Sequence, residues 1–187
     1  MSVYLIRHGQ SAFNAVYSEA EQKGSDPLIF DAPLTPLGEA QADQVRAEVS
    51  GLGIKQVICS PLTRAVQTAL RIFADLAPIT IEATHREWLT HSCDVGRPPD
   101  DLARDFPALS FDHLVDHWWH KGPVNKNGVP VEPEPVFHQR VRQFTGVLAD
   151  HNTRPVAVVG HGNFFQEMIG RLLVNCEVHR YQPSETD

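Results

Sequence analysis

Three short apolar runs, VYLI (3–6), QVIC (56–59) and VAVV (156–159), constrain this chain more than any other feature, because each leads straight into a helix-start signal. Runs of four apolar, largely β-branched residues bounded by turn formers read as strands buried on both faces. Gly9 follows the first, before a helical stretch from about Ser11. Ser60-Pro61 follows the second, a helix cap with proline at the first helical position. Gly160-His161-Gly162-Asn163 follows the third. Strand, turn and helix in that repeated order imply a mostly parallel sheet with helices on both faces. The expected fold class is therefore α/β, a three-layer α/β/α sandwich around a mostly parallel central sheet.

The helices declare themselves by spacing. Leu62, Ala65, Val66, Ala69, Leu70, Phe73 and Leu76 form one stripe after the second strand, and Phe164, Phe165, Met168, Ile169, Leu172 and Leu173 a wider face after the third. Thr35-Pro36 opens another helix that runs to about Ser50, with Gly51 as terminator. Phe137, Val141, Phe144 and Leu148 mark one more, entered from the proline-rich GVPVEPEP. ITIEA (79–83) reads as a fourth strand near an edge, and VNCEVHRY (174–181) as a last one. All 187 residues read as one domain. The segment from about 88 to 135 is an excursion from the sheet, with short helical patterns around 99–105 and 112–120, placed to roof a pocket.

The formal net charge is -7 and no dense Lys/Arg run occurs, so neither nucleic acid nor an anionic membrane is the expected partner. A small anionic ligand is compatible with that charge, since a pocket's local field can oppose it. No apolar run approaches the ~20 residues that span a bilayer. MSVYLIRHG has no signal-peptide pattern, and three scattered cysteines, Cys59, Cys93 and Cys176, read as reduced thiols. The expected compartment is the cytoplasm.

Ligands of open parallel sheets bind at the carboxyl ends of the strands. The reading above places Arg7 and His8 there, then Ser60 with Arg64 one turn on, then His161, with Arg86 and Glu87 just after the fourth strand. Helix N-termini on the same rim favour an anion. Arginines grip phosphoryl oxygens in bidentate fashion. A neutral imidazole beside them, kept neutral by those cations, is a competent nucleophile towards phosphorus. A glutamic acid can protonate the leaving oxygen. Such a set neutralises developing charge without a metal, so no cofactor is expected.

In order along the chain, RHGQSAFN, PLTPLGEAQA, SPLTRAVQTA, REW and VVGHGNF resemble the histidine phosphatase superfamily, in its phosphoglycerate-mutase-like branch. The resemblance covers residues 3 to about 173. It implies that His8 carries the phosphoryl group, that Arg7, Arg64 and His161 clamp its oxygens, and that Glu87 is proton donor and later base. It also implies hydrogen bonds from Asn14 and from the backbone of Gly162, a substrate-side place for Gln10, and a backbone carbonyl that aims His8. Gln10 stands where many members have glutamate, a substitution others in the family share. Residues 15–32 lengthen one connection. After Glu87 the chain reads WLTHSCDVGRP, with only Arg97 as a nearby cation, where mutases carry basic residues to hold a bisphosphate. Hydrolysis of a small phosphomonoester is therefore the expected reaction. A mutase-type phosphotransferase and a non-catalytic phospho-ligand module are the alternatives, and Asp94 is a rival to Glu87 as acid.

DHLVDHWWH (112–120) spaces His113, His117 and His120 as zinc ligands on one helical face would be. No fourth partner has matching spacing, so polar-face histidines are the expectation. Trp118 and Trp119 read as packing anchors. Cys59 reads as inert core, and Cys93 as a roof thiol open to exposure.

Overall fold

The computed structural model describes residues 2–23 and 25–182. Its strands are β1 (Val3–Arg7), β2 (Gln56–Cys59), β3 (Ile79–Ile81), β4 (Val156–Gly160) and β5 (Val178–Tyr181). Its helices are α1 (Ala12–Gln22), α2 (Pro36–Val49), α3 (Thr63–Phe73), α4 (Pro99–Asp105), α5 (Glu134–Asp150) and α6 (Gly162–Ile169). The strands form one sheet in the order β3-β2-β4-β1-β5, parallel throughout except for β5, which runs antiparallel to β1. β3 is an edge, as its alternating sequence predicts.

Alternation along the strands sorts the core into two halves, because successive side chains point to opposite faces. Ile6, Val57, Cys59, Ala157 and Val159 join Ala42 and Val45 of α2 and Ala65, Val66, Ala69, Ile72 and Phe73 of α3. Val3, Leu5, Ile58, Val156 and Val158 join Phe137, Val141, Phe144 and Leu148 of α5 and Phe164 and Phe165 of α6. The result is the expected three-layer α/β/α arrangement. Each buried phenylalanine side chain contributes roughly 1.5–3 kcal/mol by leaving water.

The register decides where the chemistry falls. Arg7 pairs with Gly160 and Cys59 with Val159, so β1, β4 and β2 end side by side. The residues after them, His8, His161 and Ser60, are neighbours for that reason alone.

Several local expectations change. Thr35 does cap α2, its Oγ1 accepting from Gly38 N at 3.1 Å, but the left-handed residue ending that region is Gly53 (φ +63°), after one 3-10 turn, not Gly51. Ser60 does not cap α3. That helix begins at Thr63 after Leu62, Pro61 lies outside it, and its N-terminus is served by Asp31, whose carboxylate accepts from Thr63 N at 2.8 Å and Thr63 Oγ1 at 2.5 Å. A carboxylate from a distant loop thus takes the place of a local cap. α6 stops at Gly170 (φ +75°), leaving Leu172 exposed and Leu173 buried beyond it. Of residues 174–181 only the last four form a strand. Residues 112–120 are turns, not a helix: His113 Nε2 lies 2.9 Å from Ile81 O and Trp118 Nε1 donates to Arg97 O, and such long-range ties outweigh a weak local pattern. Trp118 is buried in the core and Trp119 packs against it. No helix of the described residues is long and apolar enough to cross a membrane.

Candidate active site

A cavity of about 480 Å³ opens at the carboxyl ends of β1 and β2. Arg7, His8, Asn14, Arg64, Glu87, Asp94 and Gly162 line it. His161 is buried next to His8, their ring centroids 5.2 Å apart, but is not part of the cavity lining.

His8 is held in one orientation. Its Nδ1 lies 2.7 Å from Gly9 O, so that nitrogen carries the proton and donates it to the carbonyl. Its Nε2 then presents a lone pair, which accepts from Arg64 Nε at 3.2 Å. Burial, with Arg64 and Arg7 adding to it, pushes the imidazole pKa well below its ordinary value, so the ring is neutral. Burial, and not the neighbouring cations expected from the sequence, is the larger cause. Gly9 itself sits where a Cβ would come within 2.4 Å of Gly38 O, so the turn after His8 tolerates glycine only.

Arg64, on the first turn of α3, is buried and fully engaged. Nη1 donates to Cys93 O at 2.6 Å and Nη2 to Asp94 Oδ1 at 2.9 Å. Asp94 accepts on Oδ2 from Thr90 N and His91 N, so both its oxygens are occupied. Arg7 donates from Nη1 to Leu173 O at 2.6 Å, while its Nε is buried with no partner among the described residues. A Cβ on Gly162 would lie 3.3 Å from that guanidinium, so glycine there lets Arg7 pack against the start of α6.

His161 Nε2 lies 2.8 Å from Ser60 Oγ, and its Nδ1 is buried with no partner among the described residues. Burial, then Arg64 and His8, hold its pKa well below the ordinary value. Ser60 therefore orients an imidazole instead of capping a helix.

Glu87 occupies the α6 N-terminus. Oε1 accepts from Trp88 N at 2.9 Å and Phe164 N at 3.0 Å, and Oε2 from Asn163 N at 3.0 Å. The anion that a helix N-terminus favours is thus supplied by the protein. Burial and the nearby Asp94 raise the Glu87 pKa; the N–H donors and Arg64 pull against that shift without cancelling it.

Two predicted residues fall elsewhere. Gln10 is outside the cavity lining: its Oε1 accepts from Thr35 Oγ1 at 2.8 Å, tying β1's exit to the cap of α2. Arg86 turns away to Glu132. Arg97 likewise pairs with Asp31 and Asp105, leaving Arg7 and Arg64 as the arginines that line the cavity. Cys93, a roof thiol left open to exposure by the sequence, is buried, and burial raises its pKa, with Asp94 adding to it. Cys59 is buried and its pKa is likewise pushed up. Among the described residues no group of three or more His, Cys, Asp or Glu is placed to hold a metal ion, and His113 and His117 lie against backbone carbonyls.

Other supporting residues carried no sequence signal. Arg140 of α5 donates to Thr84 O (2.9 Å), Arg86 O (2.7 Å) and Glu87 O (3.3 Å), and pairs with the buried Glu132. Glu132 O accepts from Trp88 Nε1. Asn175 Nδ2 donates to His8 O at 2.9 Å, and Cys176 N to Arg7 O at 3.0 Å. Apart from the local Arg140–Glu132 pair, these are contacts between segments 44 or more residues apart, which no local pattern announces.

The family model for the histidine phosphatase superfamily (branch 1) matches residues 3–186. The adenosylcobalamin/alpha-ribazole phosphatase of Escherichia coli (strain K12) is 28% identical over 177 residues, covering 92% of this chain and 79% of that protein. Phosphoglycerate mutase-like protein 1 of Arabidopsis thaliana is 27% identical over 212 residues, covering 94% and 73%. A mycobacterial glucosyl-3-phosphoglycerate phosphatase, solved in complex with VO3, superposes with a TM-score of 0.60 at 18% identity, covering 96% of this chain and 90% of that one.

Proposed function

The chain belongs to the histidine phosphatase superfamily, and on that premise we propose that it hydrolyses phosphomonoesters through a phosphohistidine on His8. The observation that carries this reading is the His8 ring: neutral, its Nδ1 proton on Gly9 O, its Nε2 lone pair beside Arg64 in a cavity also lined by Arg7 and Glu87.

On this reading a phosphoryl oxygen replaces His8 Nε2 as the partner of Arg64 Nε, which frees the lone pair. Arg7 Nε and His161 Nδ1, both without a partner among the described residues, supply two further contacts for phosphoryl oxygens. His8 Nε2 attacks phosphorus and the bond to the ester oxygen breaks. Protonated Glu87 gives its proton to that oxygen, and the alcohol leaves. Water then attacks the phosphohistidine, Glu87 takes the water's proton, and the P–N bond breaks to release phosphate and neutral His8. The raised Glu87 pKa suits a group that holds a proton before the first step. Asp94 suits that task less, with one oxygen on Arg64 and the other on two amides. Asn14 and Gly162 complete the substrate side of the site.

Hydrolysis is favoured over the mutase reaction because Arg97, the first arginine or lysine after Glu87, is spent on Asp31 and Asp105. The phosphatase names of the E. coli and mycobacterial relatives point the same way.

The test is phosphate release from an aryl phosphate with chelator present. Wild type should turn over at an undiminished rate and form an acid-labile, base-stable phosphoenzyme. His8→Ala should fall to background with its circular dichroism unchanged. Wild-type turnover in folded His8→Ala would sink the proposal.

A further inference from the structure

Beyond the phosphoryl-binding groups, the cavity lining includes Phe13, Tyr17, Trp88, Thr90, His91 and Leu172. Three of these form one packed aromatic unit. Phe13 and Tyr17 stack at 5.1 Å and 23°, and Tyr17 meets His91 edge-on at 5.0 Å and 79°. Tyr17 Oη lies 3.2 Å from His91 Nε2, and Thr90 Oγ1 2.8 Å from His91 Nδ1, so both imidazole nitrogens have neighbours within the unit. Trp88 is fixed independently, stacked on Phe137 at 4.9 Å and 8° with its Nε1 on Glu132 O. These rings are held by their own contacts and need not be ordered by a ligand.

The charge balance is equally telling. The arginine and carboxylate lining consists of Arg7, Arg64, Glu87 and Asp94, with Arg64 already paired to Asp94. A phosphoryl group claims the arginines. Among the described residues, no lysine or third arginine lines the cavity to meet a second anionic group. A leaving group bearing its own carboxylate or phosphate would be desolvated without a counter-charge and close to two carboxylates. A ring or apolar body would meet rigid aromatic faces instead.

We propose that the Phe13–Tyr17–His91 unit and Trp88 form a leaving-group subsite selecting phosphomonoesters of uncharged, ring-bearing or apolar alcohols, and that it discriminates against phosphorylated hydroxy acids and bisphosphates. This rests on the phosphatase reading and names its substrate class.

The experiment compares kcat/KM for 2-phenylethyl phosphate, ethyl phosphate and 3-phosphoglycerate at pH 8, with an aryl phosphate as control. All three test compounds are alkyl esters, so differences report the subsite more than the leaving group's departure. Phenylethyl phosphate should exceed each of the other two at least tenfold, chiefly through KM. Phe13→Ala and Tyr17→Ala should reduce the ratio of phenylethyl to ethyl phosphate severalfold. Tyr17→Lys should raise the 3-phosphoglycerate rate relative to phenylethyl phosphate, a gain that misfolding cannot mimic. Equal or faster turnover of 3-phosphoglycerate by wild type, with His8-dependent aryl phosphatase activity intact, would overturn the subsite and leave the phosphatase standing. Failure to release phosphate from any of the four would overturn both.

Discussion

Arg64 and Arg140 are both buried beside a carboxylate, yet they serve the two sides of the site differently. Arg64 lines the cavity and points Nε at the His8 lone pair. Arg140 stays out of the cavity lining and grips the backbone on either side of Glu87. The strand-end floor thus uses arginine for its charge, where the proposed mechanism has charge develop. The wall after β3 uses it as a planar fork with several donors, satisfying carbonyls that a loop without secondary structure leaves unpaired. A side built from strand ends is held by the sheet itself. A side built from a long connection needs a buried ion pair to hold it.

Breaking the floor should cost most. Arg64→Ala should lower kcat/KM for aryl and alkyl phosphates alike by on the order of 10³, about 4 kcal/mol. Arg64→Lys should not restore it, because an ammonium cannot serve His8, Cys93 O and Asp94 together. Near-complete rescue by lysine would mean that charge alone matters there.

The wall should fail with a different signature. Arg140→Ala leaves the buried Glu132 with Arg86 as its remaining ion-pair partner and strips the loop carbonyls of their donor, and should destabilise by roughly 1–3 kcal/mol. Arg140→Met combined with Glu132→Gln removes both charges yet keeps an acceptor for Arg86, and should recover part of that stability. The double variant should still lose roughly 10–100-fold on alkyl phosphates, through a misplaced Glu87, and only a few-fold on aryl phosphates. Measured across leaving groups, its profile should match that of Glu87→Gln. Equal losses on both substrate types would show that the pair supports the fold and not the acid.

Proton linkage separates the two sides again. His8 and His161 at the floor, and His85 behind it at about 4, are held below the ordinary histidine pKa, chiefly by burial. Above pH ~6.5 they are neutral whether folded or not. Below it the unfolded chain takes up protons that the folded one refuses, so stability falls with pH by about 1.4 kcal/mol per unit for each histidine. For His85 that loss runs from about 6.5 down to about 4. Glu87, raised by burial, acts in the opposite sense: the folded protein binds its proton first, and its contribution grows as the pH drops. Urea unfolding at pH 7.5 and 5.5 should therefore show a net loss at the lower pH, the three histidines outweighing one glutamate. A flat profile would contradict the buried neutral histidines.

The smallest effect is expected at the α3 cap. Asp31→Asn keeps an acceptor for Thr63 N but loses the charge facing Arg97 and the helix end. It should cost about 1 kcal/mol, read as a Tm lowered by a few degrees, with aryl phosphate kcat little changed. A large kcat loss would show that Asp31 positions Arg64 as well as starting its helix.

What was legible in the chain follows from the range of the forces involved. The β1, β2 and β4 runs, the α2 cap at Thr35 and the α5 stripe rest on nearest-neighbour alternation and helical spacing, so they could be read locally. His8, Arg64 and Glu87 were legible because strands of a parallel sheet end together, which turns three distant positions into one cavity. Ser60 does not cap α3 because its hydroxyl lies 2.8 Å from His161 Nε2, 101 positions away, and accepts from Leu62 N only at 3.4 Å, ahead of the helix. Gln10 stays out of the cavity lining because the cap of α2 claims its side chain.

The layers, the strand ends and the residues gathered there could be read along the chain, since hydrophobic periodicity and residue type act over a few positions. Tertiary packing set the rest: Glu87 sits on the α6 amides, Asp31 starts α3, Arg97 and Arg86 face away, and Arg140 clamps the wall. Each of these joins segments far apart in the chain, and buried polar groups take whichever partner the fold brings within about 3 Å.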